Sequence, residues 1–260
     1  MSTLHQLYLT EIGRQRGKFL SVPASTFQES EIAGLPEPLR RYFHVCGYIG
    51  REKQFYSQVG WDQVEMKLPP GGKWRKMDCY QFNSVPDPMR IMHIKFRYWG
   101  IFPFEARDKY QDGHGNLLIR LCRLVTIGDL RGKEVDASEL VTLLSEALLL
   151  PAYAVQPYIR WSAIAADRVG AELSWNGTRV HGLFFFNSRG EFERFETTDR
   201  WKAAGRGRFE PMAWSVRVSD YVTRNGVRQP SRAAAAWLEN GQWTDYFKGE
   251  ITGTSGLAPA

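Results

Sequence analysis

Apolar and polar side chains alternate with a period of two along most of the chain from residue 53 to residue 252. Successive side chains of a strand point to opposite faces, so this period predicts half-buried β-strands. The segment Met89–Tyr98 is typical, with Met92 and Ile94 on one face and Ile91 and His93 on the other. About a dozen strands are predicted, at about 53–59, 61–68, 73–83, 89–98, 102–111, 116–125, 158–165, 168–175, 178–186, 191–201, 211–223, 227–237 and 242–252.

Pairs of Asp or Asn with Gly stand between several of these runs, at Asp112-Gly113, Asn176-Gly177, Asn225-Gly226 and Asn240-Gly241. A two-residue hairpin turn of the primed type needs positive φ at both central positions, which these pairs tolerate best. Turns this short cannot connect parallel strands. The pairs therefore predict an antiparallel meander in which each strand folds back on its neighbour.

Helical spacing is confined to the first fifty residues and to one segment inside the meander. Leu4, Leu7, Tyr8 and Ile12 recur at intervals of three and four, and a second helix is expected from Pro36 or Pro38 through Phe43, with Gly47 as its stop signal.

The inserted helix is predicted at about 136–150, from a start resembling a capping box at Asp136 and Glu139 to a stop at Pro151. One face is apolar, at Leu140, Leu143, Leu144, Ala147 and Leu148, and the opposite face carries Thr142, Ser145 and Glu146.

These elements predict a mostly β, α+β fold: a strongly curved antiparallel sheet, or half-barrel, of about a dozen strands. The inserted helix and the N-terminal helices are expected to close its concave side. We expect residues 1–260 to form a single domain, because no linker or repeat divides them. It comprises a helical segment at 1–50, the meander at 53–252 and a tail at 253–260 that should fray.

Charge and cysteine content narrow the functional classes. The net charge is +6, without a run of five like charges or a base-reading helix, so we expect a solvated basic surface and no nucleic-acid partner. Cys46, Cys79 and Cys122 are expected to be free thiols, with Cys79 and Cys122 buried in strands. Residues 1–20 lack an apolar signal core and no run is long enough to span a bilayer, which favours a cytoplasmic protein.

No motif with a dedicated chemistry is present. The five histidines lack metal-ligand spacing, and the chain has no P-loop, nucleophile elbow or dinucleotide turn, so no metal and no cofactor are expected. The polar residues that could serve a catalytic site are His93, His181, Asp199 and Arg200.

Aromatic residues are abundant, at nine Trp, eleven Tyr and fifteen Phe, and can form either core or the lining of a cavity. A sheet this wide must curl, and a curled sheet offers a concave ligand site. We expect one pocket with His181 or Arg200 at its rim and several of these residues in its lining: Trp99, Phe104, Trp161, Phe184, Phe186 and Trp214.

Short motifs spread over the chain from about residue 35 carry a family resemblance. They include Leu35-Pro-Glu-Pro-Leu-Arg-Arg-Tyr42, Asp108-x-Tyr110, Glu139 through Pro151, Arg160-Trp161, Asp199-Arg200, Trp214, Asp220-Tyr221, Trp237 and Tyr246-Phe247. In these the chain resembles a bacterial family of uncharacterised proteins, a domain of unknown function. Where that family often has an acidic residue before the tryptophan at 237, this chain has four alanines, 233–236, which weakens the idea of a catalytic carboxylate there.

The order of elements is also similar, at the level of the fold, to the half-barrel of periplasmic lipoprotein carriers. That resemblance implies an aromatic-lined concavity under helical lids that holds acyl chains, although the absence of an export signal speaks against lipoprotein trafficking. We therefore expect a non-enzymatic protein that binds a lipid or another hydrophobic or amphipathic small molecule. An enzyme with its polar residues in the same cavity and a scaffold with a basic docking face stay open as alternatives.

Overall fold

A computed structural model describes residues 3–19, 23–68, 72–205 and 207–256. Within these ranges the helices are α1 (Leu4–Phe19), α2 (Glu29–Ile32), α3 (Glu37–Val45) and α4 (Lys133–Ser145). The strands are β1 (Tyr56–Lys67), β2 (Trp74–Ser84), β3 (Met89–Tyr98), β4 (Phe102–Gln111), β5 (His114–Leu121), β6 (Val125–Leu130), β7 (Ile159–Ala165), β8 (Arg168–Trp175), β9 (Thr178–Phe186), β10 (Phe192–Thr197), β11 (Trp201–Ala203), β12 (Phe209–Pro211), β13 (Trp214–Ser219), β14 (Val222–Arg224), β15 (Val227–Gln229), β16 (Arg232–Glu239) and β17 (Gln242–Gly256).

Thirteen strands form one antiparallel sheet in the order β6-β5-β4-β3-β2-β1-β17-β16-β13-β10-β9-β8-β7. The last strand, β17, pairs with the first, β1, and so joins the two halves of the meander at the centre of the sheet. The edge strands β6 and β7 are not paired with each other, so the sheet curves without closing. The predicted α+β half-barrel is confirmed.

All four Asx-Gly pairs form the predicted tight turns. Both residues of each pair have positive φ, from 45° at Asn176 to 85° at Gly113. They connect β4 to β5, β8 to β9, β14 to β15 and β16 to β17. Two further turns also have positive φ at both central residues but contain no Asx residue. Trp99 and Gly100, at 49° and 73°, join β3 to β4, and Cys122 and Arg123, at 51° and 61°, join β5 to β6.

Helix α4 lies in the concave face of the sheet, where it packs against β4 and β5 on one side and β9 and β11 on the other. Leu140 and Leu144, on its predicted apolar face, are fully buried, as is Leu148 just beyond its end. Thr142 and Ser145, on the opposite face, are buried as well. From Ser138 to Ser145 the helix is therefore enclosed on all sides, although its sequence is amphipathic.

The limits of α4 differ from the predicted 136–150. Asp136 does not cap the helix; its Oδ1 accepts a hydrogen bond from the backbone N–H of Gly115, at 2.7 Å, and so fixes β5 to the first turn. A side chain at Gly115 would collide with the carbonyl oxygen of Val135, 2.5 Å from the ideal Cβ position. The helix ends at Ser145, before Pro151, and successive turns follow.

The N-terminal helices do not all close the concave side, which corrects the sequence-based expectation. Helix α1 packs against β3 and β4 on the opposite face, where Glu11 bonds Arg107 at 2.6 Å and Lys109 at 2.8 Å. Helix α3 does lie on the concave side, since the Tyr42 hydroxyl donates to the Leu148 carbonyl at 2.6 Å. Helices α1 and α4 lie on opposite faces of the sheet, because alternate side chains of β3 face α1 on one side and α4 on the other.

Several strand boundaries also differ from the prediction. The runs 53–59 and 61–68 form the single strand β1, and the runs 191–201, 211–223 and 227–237 are each interrupted. Strand β17 continues through Gly256, so residues 253–256 are paired rather than frayed, and 257–260 lie outside the described residues. Among the described residues no helix is long and apolar enough to cross a bilayer.

The three cysteines are free thiols, but their surroundings differ from the prediction. Cys46 is buried at the end of α3, and Cys122 lies in the β5–β6 turn, with φ of 51°, rather than within a strand. Burial raises the pKa of the Cys46 thiol to about 12 and that of the Cys79 thiol to about 12.

We expect one fast and two slow thiols in the native protein. Thiolate is the reactive form, so at about pH 8 a thiol with so high a pKa reacts slowly. A colorimetric thiol reagent should modify Cys122 first and reach Cys46 and Cys79 on unfolding. Cys122→Ser should remove the fast phase; a fast phase that persists in this variant would contradict the assignment.

Replacement of Leu144 by Ala should reveal how far the fold depends on α4. Because Leu144 is fully buried, the cavity left behind should lower the free energy of unfolding by roughly 2–5 kcal/mol. Leu9, which is exposed on α1, is the matched control. Leu9→Ala should change the free energy of unfolding by less than about 0.5 kcal/mol. Urea denaturation followed by circular dichroism measures both, and equal effects would refute the central position of α4.

Candidate functional site

A cavity of about 120 Å³ lies between the polar face of α4 and the concave face of the sheet, and is called the α4 cavity below. Its apolar wall comes mainly from strands β1, β3, β10, β13, β16 and β17. This wall includes Trp61, Met66, Met92, Phe192, Trp214 and Phe247. The polar wall consists of Arg90, Asp108, Thr142, Ser145, Glu146 and Arg200. Within the described part of the chain, this cavity combines an apolar lining with buried charges.

Arg90 is the centre of the polar wall. Its Nε donates to Glu146 Oε1 at 2.7 Å and its Nη1 donates to Asp108 Oδ2 at 3.0 Å, so the guanidinium joins β4 to the end of α4. The carboxylates raise the pKa of Arg90 against the opposing effect of burial. A buried charge paired on two sides keeps its ionised form.

The second oxygen of Glu146 is held by two amides from β2. Gln81 Nε2 and Asn83 Nδ2 each donate to Glu146 Oε2 at 2.9 Å. Gln81 also accepts a hydrogen bond from Trp61 Nε1 at 2.9 Å, which orients that indole in the apolar wall. The charges and the aromatic lining therefore belong to one hydrogen-bonded network.

Arg200 occupies the opposite side of the polar wall. Its guanidinium lies over the ring of Trp214, 4.1 Å from the centroid, and donates to the Ser138 carbonyl at 3.3 Å and to Thr142 Oγ1. Arg200 Nε is buried without a hydrogen-bond partner. No carboxylate of the described residues lies within 4.0 Å of this guanidinium, which leaves capacity for an acceptor.

Two carboxyl groups, Asp108 and Glu139, face each other beside Arg90 and Arg200. Burial raises the pKa of the Glu139 carboxyl well above its usual range, and the negative charge of Asp108 raises it further, against the opposing effect of the two guanidinium groups. Asp108 Oδ1 and Glu139 Oε2 are buried without other partners. A protonated Glu139 can donate to Asp108, which satisfies both oxygens.

The predicted site residues are distributed over several places. Trp214 and Arg200 line the α4 cavity together. Trp161 and His181 line an open surface groove of about 680 Å³ that also includes Asp199 and Trp243. Phe184 and Phe186 are buried in the core, and Phe104 packs against Phe96 and Tyr98. Trp99 is exposed at the β3–β4 turn. The eight residues thus do not form one pocket.

The polar residues considered for catalysis are separated as well. His93 is buried beneath α1, where burial, His5 and Lys95 lower its pKa to about 4. His181 Nδ1 lies 2.9 Å from Asp199 Oδ2 in the surface groove, whereas Arg200 is in the α4 cavity. In the described ranges no group of three or more His, Cys, Asp or Glu side chains could hold a metal ion.

Sequence reasoning missed Arg90, Asp108, Glu139 and Glu146, which form most of the charged wall. Arg90 stands on the β3 face that also carries Met92 and Ile94, and an arginine in an otherwise apolar row was the signal. The polar stripe of α4 was recognised only as the side of the helix opposite the leucines. Its burial follows from the enclosure of the helix by the curved sheet, which the helical spacing does not reveal.

Fold and cavity together define a helix-filled β half-barrel with a buried, charged internal site. The chain belongs to the family of unknown function DUF6544, whose profile matches residues 25–249. No curated protein sequence matches the chain significantly.

Two solved structures are similar over most of the chain. A LolA superfamily protein from Nitrosomonas europaea shares 11% identity with a TM-score of 0.47, covering 85% of this chain and 92% of that one. A domain of a putative outer membrane lipoprotein-sorting protein from Vibrio parahaemolyticus shares 12% identity with a TM-score of 0.39, covering 78% and 87% of the two chains.

Motifs that are distant in the sequence meet at the α4 cavity. Arg200 lies over Trp214 and is 5.6 Å from the Trp237 centroid, while Tyr246 stacks on Trp237 and accepts a hydrogen bond from Trp214 Nε1 at 3.1 Å. Asp108 and Glu139 belong to two further motifs of the family resemblance. Several segments that are distant in the sequence thus meet at one internal site.

Glu139→Gln should stabilise the protein at neutral pH and flatten its pH dependence. The folded state keeps a proton on Glu139 above the ordinary glutamate pKa of about 4.3, whereas the unfolded state loses it. Wild-type stability attributable to this group is therefore full at low pH and falls as pH rises toward the raised pKa. Glutamine imitates the protonated acid, so the variant should gain at least about 1 kcal/mol near pH 8.

Urea denaturation between about pH 5 and pH 8 measures this effect. Glu37→Gln, at an exposed glutamate of α3, is the control and should leave the profile unchanged. If the free energy of unfolding of Glu139→Gln varies with pH as steeply as that of the wild type, Glu139 is ionised in the folded protein.

Proposed function

We propose that this protein binds a small amphipathic anion in the α4 cavity, with the acidic group at Arg200 and the apolar part against the aromatic wall. The observation that carries the proposal is the Arg200 guanidinium, which is stacked on Trp214. Its Nε is buried without a hydrogen-bond partner, and no carboxylate of the described residues is in ion-pair contact with it. An arginine fork matches a carboxylate or a phosphate and binds it by charge-assisted hydrogen bonds.

The apolar wall supports a ligand with a hydrophobic body. Trp61, Trp214 and Phe247 are rigid surfaces that bury large areas, and Met66 and Met92 add adaptable ones. Ligand sites of this kind are mostly apolar and use a few polar groups to orient the molecule. Arg90 is already paired with two carboxylates, so Arg200 is the group that remains for the ligand.

The size of the cavity restricts the ligand class. At about 120 Å³ it is smaller than the roughly 300–1,000 Å³ of ordinary small-molecule sites. A short-chain or medium-chain acid is a better match than a long acyl chain, which would require α4 to move away from the sheet. Binding rather than catalysis is proposed because His93 lies beneath α1 and His181 lies in the surface groove, both outside the α4 cavity.

A series of linear carboxylates from butyrate to dodecanoate should test the cavity directly. Affinity should rise by about fourfold for each added methylene, the equivalent of about 0.8 kcal/mol, and then level off when the cavity is full. Quenching of Trp61 and Trp214 fluorescence, with calorimetry, provides the affinities. The corresponding alcohols, which lack the anionic group, should bind at least tenfold more weakly, since a charge-assisted hydrogen bond contributes about 1.5–3 kcal/mol.

Matched variants separate binding in the cavity from general effects. Arg200→Lys should weaken carboxylate binding by about tenfold or more, because the planar fork is lost. Arg194→Lys is the control, since Arg194 also stacks on an aromatic ring, that of Phe185, at 4.2 Å but lies outside the cavity. Trp61→Leu, in the cavity, and Trp161→Leu, in the surface groove, form a second pair of test and control, since both tryptophans are partly buried. Equal losses within both pairs, or no dependence on chain length, would refute the proposal.

A further inference from the structure

Exposed apolar side chains are concentrated at two turns of the sheet. The four large apolar residues with the highest exposure are Trp99 at 81%, Leu124 at 71%, Ile101 at 67% and Val125 at 56%. Trp99 and Ile101 are in the β3–β4 turn, and Leu124 and Val125 are at the β5–β6 turn. With Phe102, which is 44% exposed, they form what is called the turn patch below.

The two turns lie at the same end of the sheet and contact each other. In an antiparallel meander the β3–β4 and β5–β6 connections lie at one end of the sheet. The Cys122 backbone N–H donates to the Pro103 carbonyl at 2.7 Å, which fixes one turn against the other. Arg75 of β2 stacks on Tyr98, 4.7 Å from the centroid. The turn patch is thus one continuous feature.

Positive charge surrounds the turn patch. The segments 72–78, 95–105 and 120–127 carry seven basic and two acidic residues, a net charge of +5 in a chain whose total is +6. Both acidic residues are paired, Asp78 with Lys95 and Glu105 with Arg123, each at 3.5 Å. Arg97 is exposed, with no carboxylate of the described residues within 4.0 Å. This end of the sheet therefore attracts anions.

Trp99 occupies a backbone position that is unfavourable for a bulky residue. Its φ is 49°, in the region where the four Asx-Gly turns have Asn or Asp. A bulky side chain in this region is an outlier that costs free energy, and such strain is found where function requires it. The side chain gains little burial in return, because most of its surface is exposed.

We propose that the turn patch binds the surface of an anionic lipid bilayer. Trp99 would lie at the level of the headgroups with Ile101 and Leu124 at the acyl boundary, while Arg97 and Arg123 would face the lipid phosphates. Tryptophan prefers this interface, and basic residues next to it are attracted by anionic lipids. Two protruding turns with an excess of positive charge match a fluid anionic surface better than the shaped, charge-depleted core of a protein interface.

Vesicle flotation with the full chain tests the proposal. The protein should float with phosphatidylcholine vesicles that contain phosphatidylglycerol, float much less with phosphatidylcholine alone, and be released by high salt. The fluorescence of Trp99 should shift to the blue on binding. Absence of flotation with anionic vesicles, or equal flotation with both kinds, would overturn the proposal.

Trp99→Asn separates a lipid contact from a structural role. Asparagine tolerates positive φ, so the variant should be as stable as the wild type or more stable, while its partition onto anionic vesicles falls by about tenfold. Arg97→Glu should reduce partition by about fivefold or more, since each basic residue near an anionic surface contributes about that factor.

The controls come from β7, the strand at the opposite edge of the sheet. Ile164 is 55% exposed and Arg160 is also exposed. Ile164→Ser and Arg160→Glu should leave partition unchanged, and equal losses in these variants would contradict a specific lipid-binding end. Sedimentation velocity tests whether a second copy of the chain covers the turn patch instead. If the protein is a dimer, does not bind vesicles and becomes a monomer on Trp99→Asn, the turn patch is a contact between two copies.

Discussion

The enclosure of α4 within a curved sheet is the constraint on which the rest of the structure depends. A helix with a polar stripe normally turns that stripe toward water, but here the stripe is buried and its groups must find partners inside the protein. Arg90 provides the central partner, since it joins Glu146 at the end of α4 to Asp108 of the sheet. Removal of one member of such a buried pair costs roughly 3–5 kcal/mol, because it leaves an uncompensated charge.

The same constraint produces the α4 cavity. A void of about 120 Å³ remains between the polar side chains of the helix and the aromatic side chains of the sheet, although protein interiors are otherwise close-packed. Arg90 is paired with two carboxylates, whereas the buried Nε of Arg200 has no hydrogen-bond partner, so Arg200 has capacity for a ligand. Ligand binding at Arg200 and lipid binding at the turn patch use different residues, and each can fail without the other.

Much of the fold could be predicted from the sequence, because its signals are local. The Asx-Gly turns, the period-two strands and the leucines of α4 each depend on a few neighbouring residues. The limits of α4 could not be predicted, since Asp136 bonds Gly115 of another element in place of its own helix. Trp99 and Gly100 form a tight turn without the usual residue, so no local signal announced it.

The sequence by itself determined the class of fold, the antiparallel order within each half of the meander and the presence of an inserted helix. Only the tertiary structure decided which face of β3 meets α1 and which meets α4, because alternation separates two faces without saying what covers them. The residues that form the site depend on which face of β3 meets α4. Trp214 and Arg200, both named from the sequence, line one cavity, whereas Arg90, Asp108, Glu139 and Glu146 become a site only when strands distant in the chain bring them to one helix.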